Sequence, residues 1–255
     1  MKESIKKGLK KYFKYSLTAT VITWSAAIYF AVTPYKVNTY QLTNGNKTII
    51  FQEMVHVGEG SYYKEVNNKI EDYRAQGFVL YYELIKINNP EELAEMKKLI
   101  GINSNVFTDI LNKSKLDVQQ NYMPKSLKED VHADIDSKDL VTRLKAHYVN
   151  NPTKESYKDN LQIDDLFIFG SVDNDYLVRC FLRLGLKVNS LLRLDPVNAN
   201  DVIIKQRNDL LISKIYNGGD DKIFIQYGAF HFDDFAEQMK KQGYEIEKID
   251  TIDVF

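Results

Sequence analysis

The chain has 255 residues, 44% hydrophobic and 27% charged, with 12 Gly, 5 Pro and a single Cys. That length and composition exclude a disordered, collagen-like or linker-dominated chain and suffice for one α/β domain with a packed core. The lone Cys180 excludes an intrachain disulfide and a thiolate zinc cluster, and the formal net charge of −1 averages segments of very different character.

Residues 1–14 carry Lys2, Lys6, Lys7, Lys10, Lys11 and Lys14 against Glu3, a charge of +5; residues 15–35 carry none, which leaves −6 for the remainder. Because the lysines sit in one short tail rather than on a folded face, no nucleic-acid partner is expected. The segment 15–34, YSLTATVITWSAAIYFAVTP, is uncharged. As a helix of about 20 residues it would be about 30 Å long, the thickness of the hydrocarbon core of a bilayer. A buried core helix and a cleaved signal peptide compete with a membrane span. Only Thr and Ser interrupt the apolar run, so it lacks the polar stripe of a core helix. It is also longer than a usual signal-peptide core and shows no A-x-A site before Pro34. The expectation is a single-pass signal anchor at 15–34, with the basic tail 1–14 in the cytoplasm by the positive-inside rule and the domain 35–255 outside it.

In the remainder, TIIFQEMVHV (48–57) reads as a strand running into the turn at Gly58 and Gly60. Ser61 is the expected cap of a helix over 62–76, which places Tyr63, Val66, Ile70 and Tyr73 on one face and stops at Gly77. FVLYYELI (78–85) is a continuous apolar run, as in a parallel strand covered on both faces, and completes a βαβ unit. Pro90, Glu91 and Glu92 open a further helix, their acids complementing its dipole. Residues 102–160 form a polar, helix-leaning middle, and 161–170 is ambiguous between strand and helix. An amphipathic helix is expected over 174–192, with Leu177, Cys180, Phe181, Leu184 and Leu191 inward, and another over 200–216. KIFIQYGAFHF (222–232) reads as a strand, followed by a helix over 233–241 and a last alternating strand in YEIEKIDTIDVF (244–255). The fold class expected is therefore α/β: a mixed, largely parallel sheet flanked by helices and preceded by one transmembrane helix.

Open α/β sheets bind ligands beyond the carboxyl ends of their strands, where this reading places His56, Glu83 and His231. Two imidazoles and a carboxylate suit zinc, manganese or cobalt, although separations of 27 and 148 residues match no local ligand motif. A histidine at a strand end can equally bond backbone carbonyls. His132 and His147, in the polar middle, are expected in solvent.

EMVHVG (53–58), VLYYELI (79–85), QRND (206–209), YGAFH (227–231) and QGYEIEKI (242–249), in this order, resemble the TraB/Tiki superfamily. That group includes Tiki-type metalloproteases, pheromone-shutdown and GumN-like proteins, and distant erythromycin-esterase-like and haem-binding ChaN-like relatives. The resemblance runs from about Tyr40 to Ile249. VHADID (131–136) resembles a motif of bacterial members and draws His132 or Asp134 toward the site. Gly228 and His231 match the second of the family's two GxxH motifs, Glu83 its acidic position, and Arg207 with Asn208 its helix segment. His56 matches the first GxxH motif, but Glu53 stands where the family has glycine, and Gln206 stands in place of a glutamate.

The resemblance implies a metal-dependent, peptidase-like hydrolase of a peptide or protein substrate. His56 and His231 would bind a divalent metal, and Glu83 would bind it or act as general base. Arg207 would orient a carboxylate or stabilise developing negative charge. A bulge that turned Glu53 inward would make it an extra ligand. The alternative is a non-catalytic protein that holds haem, another ligand or a signalling peptide.

Overall fold

The computed structural model describes residues 23–100, 111–151, 174–192 and 199–255. In chain order, β1 (Lys36–Thr43), β2 (Thr48–Met54) and the short β3 (Val57–Gly58) precede α1 (Gly60–Ala75) and β4 (Val79–Tyr82). Then come α2 (Pro90–Ile100), β5 (Asp117–Val118), β6 (Val131–His132), α3 (Ser137–Asn150) and α4 (Asp175–Leu192). A π-helical turn (Asp201–Lys205) runs into α5 (Gln206–Asn217), followed by β7 (Lys222–Gly228), α6 (Phe232–Lys241) and β8 (Glu245–Asp253).

The fold is α/β, built on a mixed sheet of order β6-β4-β7-β2-β1-β8. β6, β4, β7 and β2 are mutually parallel, whereas β1 is antiparallel to both its neighbours, β2 and β8. Strand β7 is central because both its faces are apolar. Ile223, Ile225 and Tyr227 meet Leu211, Ile215, Phe232 and Phe235 of α5 and α6, and Phe224 meets Tyr62, Val66 and Ile70 of α1 on the other face. Fully buried side chains of this size contribute about 1.5–3 kcal/mol each, so these two interlayer cores carry most of the fold's stability. A third cluster joins Met96 of α2 to Leu140, Val141, Leu144 and Tyr148 of α3. At the far edge, β8 turns its charged residues to solvent, which blunts an otherwise open ladder.

The βαβ unit expected from sequence forms as β2-α1-β4, with β7 inserted between its two strands. Strand β4 covers four residues rather than the eight of the apolar run; after the Glu83 N–H bonds Gln226 O of β7, pairing resumes only at the isolated Lys86–Asp136 bridge. The expected cap Ser61 lies inside α1: Glu59 is the N-cap, with its N–H held by Val254 O. Strand β1 was not anticipated. The 161–170 segment lies outside the described residues.

Helix α4 forms, but its inward face differs from the expected one. Leu177, Phe181 and Leu191 are exposed, whereas Val178 and Cys180 are buried and Leu182 and Leu186 pack on the α1 side of the sheet. Specific acceptors for its cations set this rotation. Arg179 bonds Glu59 and Ser114 O, Arg183 bonds Phe255 O, and Lys187 bonds Phe30 O and Thr33 O.

Residues 15–22 of the expected span 15–34 lie outside the described residues; of the rest, 23–32 are helical. Among the described residues no helix is long and apolar enough to cross a membrane.

Candidate functional site

Four parallel strands end at the same side of the sheet, so the residues just beyond them converge. Asp134 follows β6, Glu83 follows β4, His231 lies three residues after Gly228 at the end of β7, and His56 follows β2. The first turn of α5 adds Arg207 and Asn208, both buried.

Arg207 organises the cluster. Its Nε and Nη2 donate to Asp134 Oδ1 and Oδ2 at 2.8 and 2.7 Å, a two-pronged pairing that suits the planar guanidinium. Nη2 also donates to Glu83 Oε1 at 2.6 Å. Nη1 donates to Ile203 O at 3.3 Å, from the π-helical turn, and lies 3.4 Å from His231 Nε2. Every N–H of the guanidinium is thus engaged, which makes Arg207 a positioning group. Asp134, and not His132, is the member of VHADID that joins the site; the half-buried His132 directs Nε2 to Leu84 O instead.

Asn208 fixes the state of His231. Its Nδ2 donates to His231 O at 2.9 Å and to Asp234 Oδ2 at 2.8 Å, so its Oδ1, 2.9 Å from His231 Nδ1, must accept. The ring proton therefore sits on Nδ1 and Nε2 carries the lone pair, 3.8 Å from Glu83 Oε1. Burial drives the His231 pKa down to about 3, against the opposing pull of Glu83, so the ring is neutral at ordinary pH. Glu83 is held the other way: burial alone would raise its carboxyl, but Arg207 overrides this and brings it to about 2. The Gly228 N–H completes the cradle by donating to Glu83 Oε2. A Cβ at Gly228 would stand 3.1 Å from that oxygen, so glycine here permits the close approach of carboxylate to backbone.

His56 is exposed, and its Nδ1 lies 3.1 Å from Gln119 Oε1, which leaves Nε2 as its second ring nitrogen. It lies beyond ion-pair distance of Glu83 but lines the same cavity, of about 310 Å³. Glu83, Arg207 and His231 form the polar floor of that cavity, and Met54, Leu182, Leu186, Ile203 and Phe255 are among its apolar walls. Among the described residues, no three His, Cys, Asp or Glu side chains converge closely enough to hold a metal ion.

Glu53 does not enter the cavity. It is buried beside β1, where Oε2 accepts from Asn38 N–H at 2.7 Å and from Asn38 Nδ2 at 3.1 Å. Burial pushes its carboxyl up to about 7, partly countered by the Asn38 hydrogen bonds and by Lys248, with Asp233 adding to the rise. A raised folded-state pKa stabilises the protein below the ordinary value of 4.5, and that contribution is lost as pH rises through about 7. Glu53→Gln is therefore expected to be more stable than wild type by about 2 kcal/mol at about pH 8, with the difference closing at about pH 4. Thermal melts of both proteins across that range check this, and equal stability at the alkaline end would refute it. Gln206, the other departure from the family pattern, accepts from Arg143 Nη1 at 3.1 Å and does not line the cavity.

Sequence reasoning gave no role to Gln119, Asp234 or the α4 wall residues Leu182 and Leu186. Only Asp234, an acid in the first turn of a predicted helix, had any signal. Gln119 opens a short 3-10 turn (Gln119–Tyr122) in the polar middle whose elements the sequence did not place, and the wall residues depend on how α4 is rotated. Comparison with family models, curated proteins and solved structures finds no match to this chain.

Proposed function

We propose that the chain is a metal-dependent, peptidase-like hydrolase, anchored by residues 15–34 and acting outside the cytoplasm. The observation that carries this reading is the Glu83–His231 pair, an ionised carboxylate facing a neutral imidazole whose proton Asn208 holds on Nδ1, so that Nε2 is the ligating atom once an ion displaces its 3.4 Å contact with Arg207 Nη1. The resemblance to the TraB/Tiki superfamily supplies the substrate class, and the uncharged span with its basic leader supplies the location.

The donor chemistry fits manganese, cobalt or zinc, for which neutral imidazole nitrogen and carboxylate oxygen are usual ligands. Within the trio, the two carboxylates of Glu83 and Asp134 share the one guanidinium of Arg207. His231 and Glu83, 3.8 Å apart, are the residues that would hold the ion, with His56, which lines the same cavity without reaching them, as the candidate third ligand; a bound ion would polarise a carbonyl and lower the pKa of water. The protein's own part is positional. Asn208 keeps the His231 proton on Nδ1, and Arg207 with the Gly228 N–H fixes the Glu83 carboxylate. The apolar walls lower the local polarity around the buried cavity floor, which strengthens its charge interactions. With values of about 2 and 3, Glu83 and His231 are too weakly basic for proton abstraction near neutrality, which suits ligands better than general bases.

Protein stripped with a chelator and then given manganese, cobalt or zinc is expected to melt at higher temperature and to cleave members of a peptide library. At a hundredfold excess over Kd the ion would add about 2.7 kcal/mol. His231→Ala should abolish both effects. Absence of a thermal response to all three ions would sink the metal reading.

The apolar walls and the two weak bases favour a second reading, a protein that binds haem or a signalling peptide without cleaving it. Saturable haem absorbance changes or peptide binding, with no cleavage and no metal response, would select it.

A further inference from the structure

We propose that α4 lies in the lipid interface beside the membrane span, with its outward face against acyl chains. The proposal rests on reading residues 15–34 as a span.

A surface helix in water turns its charged side outward and its apolar side inward. Helix α4 reverses part of that arrangement. Its basic residues, spaced four apart at Arg179, Arg183 and Lys187, point back onto the protein, where Glu59 and five backbone carbonyls receive them. The side facing away carries Leu177, 43% exposed, and Leu191, 70% exposed, together with Phe181. Single exposed apolar residues are ordinary, but a helix that withdraws its cations while presenting leucines suits an apolar neighbour.

Lys187 identifies that neighbour. Its Nζ bonds Phe30 O and Thr33 O, the free carbonyls at the C-terminal end of the helical stretch 23–32. A cation there offsets the helix dipole and ties α4 to the end of the stretch. Trp24, Ile28, Tyr29 and Val32 of that stretch are themselves exposed and belong to the uncharged segment 15–34. The apolar side of α4 therefore begins where the span ends, at the depth where interfacial helices bury one face about 5–10 Å into the headgroup and acyl boundary. Leu182 and Leu186 of the same helix wall the cavity, so the lipid surface and the site share one element.

The test uses the full chain in vesicles whose lipids carry bromine on their acyl chains. Trp24, the single native tryptophan, reports on the span. Leu177→Trp and Leu191→Trp, each combined with Trp24→Phe, report on α4. Both substituted positions are exposed, and circular dichroism matching wild type confirms folding. Loss of fluorescence in brominated vesicles at Trp24 and at both α4 positions, with shielding from aqueous iodide, is the expected result. Quenching at Trp24 with iodide access at positions 177 and 191 overturns the α4 proposal and leaves the span standing. Shielding of those positions from both quenchers also overturns it, since another part of the chain or a second copy then covers the face. No quenching at Trp24 removes the span and the proposal together.

Discussion

Arg207→Met is expected to destabilise the protein by about 3–5 kcal/mol, the cost of leaving buried charge without its partner. The cause is specific: Glu83 and Asp134 both bond this one guanidinium, and their side chains are 9% and 0% exposed. Urea denaturation midpoints at neutral pH measure the loss. The pH dependence separates this cause from lost packing. In the wild type the Glu83 pKa is depressed to about 2 from an ordinary 4.5, so its stabilising contribution is complete above 4.5 and disappears as pH falls through about 2. Without Arg207, burial raises the carboxyl instead, and the variant regains neutrality on mild acidification. The gap between the two proteins should therefore narrow between about pH 7 and pH 4. A gap of constant size would mean that Arg207 acts through volume rather than charge. Arg207→Lys should fall between them, because a lysine keeps the charge but cannot bridge both carboxylates in the plane.

The second large effect is expected at Asn208. Asn208→Ala removes the acceptor for the buried His231 Nδ1 and the donor to His231 O and to the half-buried Asp234 Oδ2, which keeps Gln238 as a second donor. Orphaning such groups costs about 1–3 kcal/mol each, and because they share one side chain the total should be about 2–4 kcal/mol rather than their sum. The more informative readout is nitrogen NMR of His231. Wild type should show the proton on Nδ1, whereas the variant should populate the other tautomer. If the metal reading holds, affinity should also fall by about 10–100-fold, as is usual when the group behind a histidine ligand is lost. An unchanged tautomer would show that the ring is oriented by Glu83 and Arg207 alone.

Much of the site was legible because it lies at strand ends, and strand ends can be read from apolar runs followed by glycine. KIFIQYG gives β7 and hence Gly228 and His231; VLYYELI gives β4 and hence Glu83. Asp134, Arg207 and Asn208 had no such signal of their own and were reached only through motif resemblance. The structure brings all three into the cluster. Glu53, also raised by the motif comparison, followed strand alternation instead: three residues before His56, it faces away from the cavity. Helix α4 shows the opposite limit. Its existence and ends were clear from periodicity, but its rotation was not, because apolar residues cover more of its circumference than one core face needs.

The sequence by itself determined the α/β class, the order of the main strands and helices, the absence of a disulfide framework and the segregation of charge into a basic leader, an uncharged segment and an acidic remainder. Each of these depends on local spacing or composition, which the chain carries without reference to distant residues. Only the tertiary structure decided that β7 enters between β2 and β4, that Arg207 is shared by Glu83 and Asp134, and that His231 holds its proton on Nδ1. These are contacts between residues 23 to 174 positions apart, from Asn208–His231 to Thr48–Lys222, or choices among faces of equal apolarity. They are settled by which buried charges and hydrogen bonds can be satisfied together, a condition on the assembled sheet that no single segment specifies.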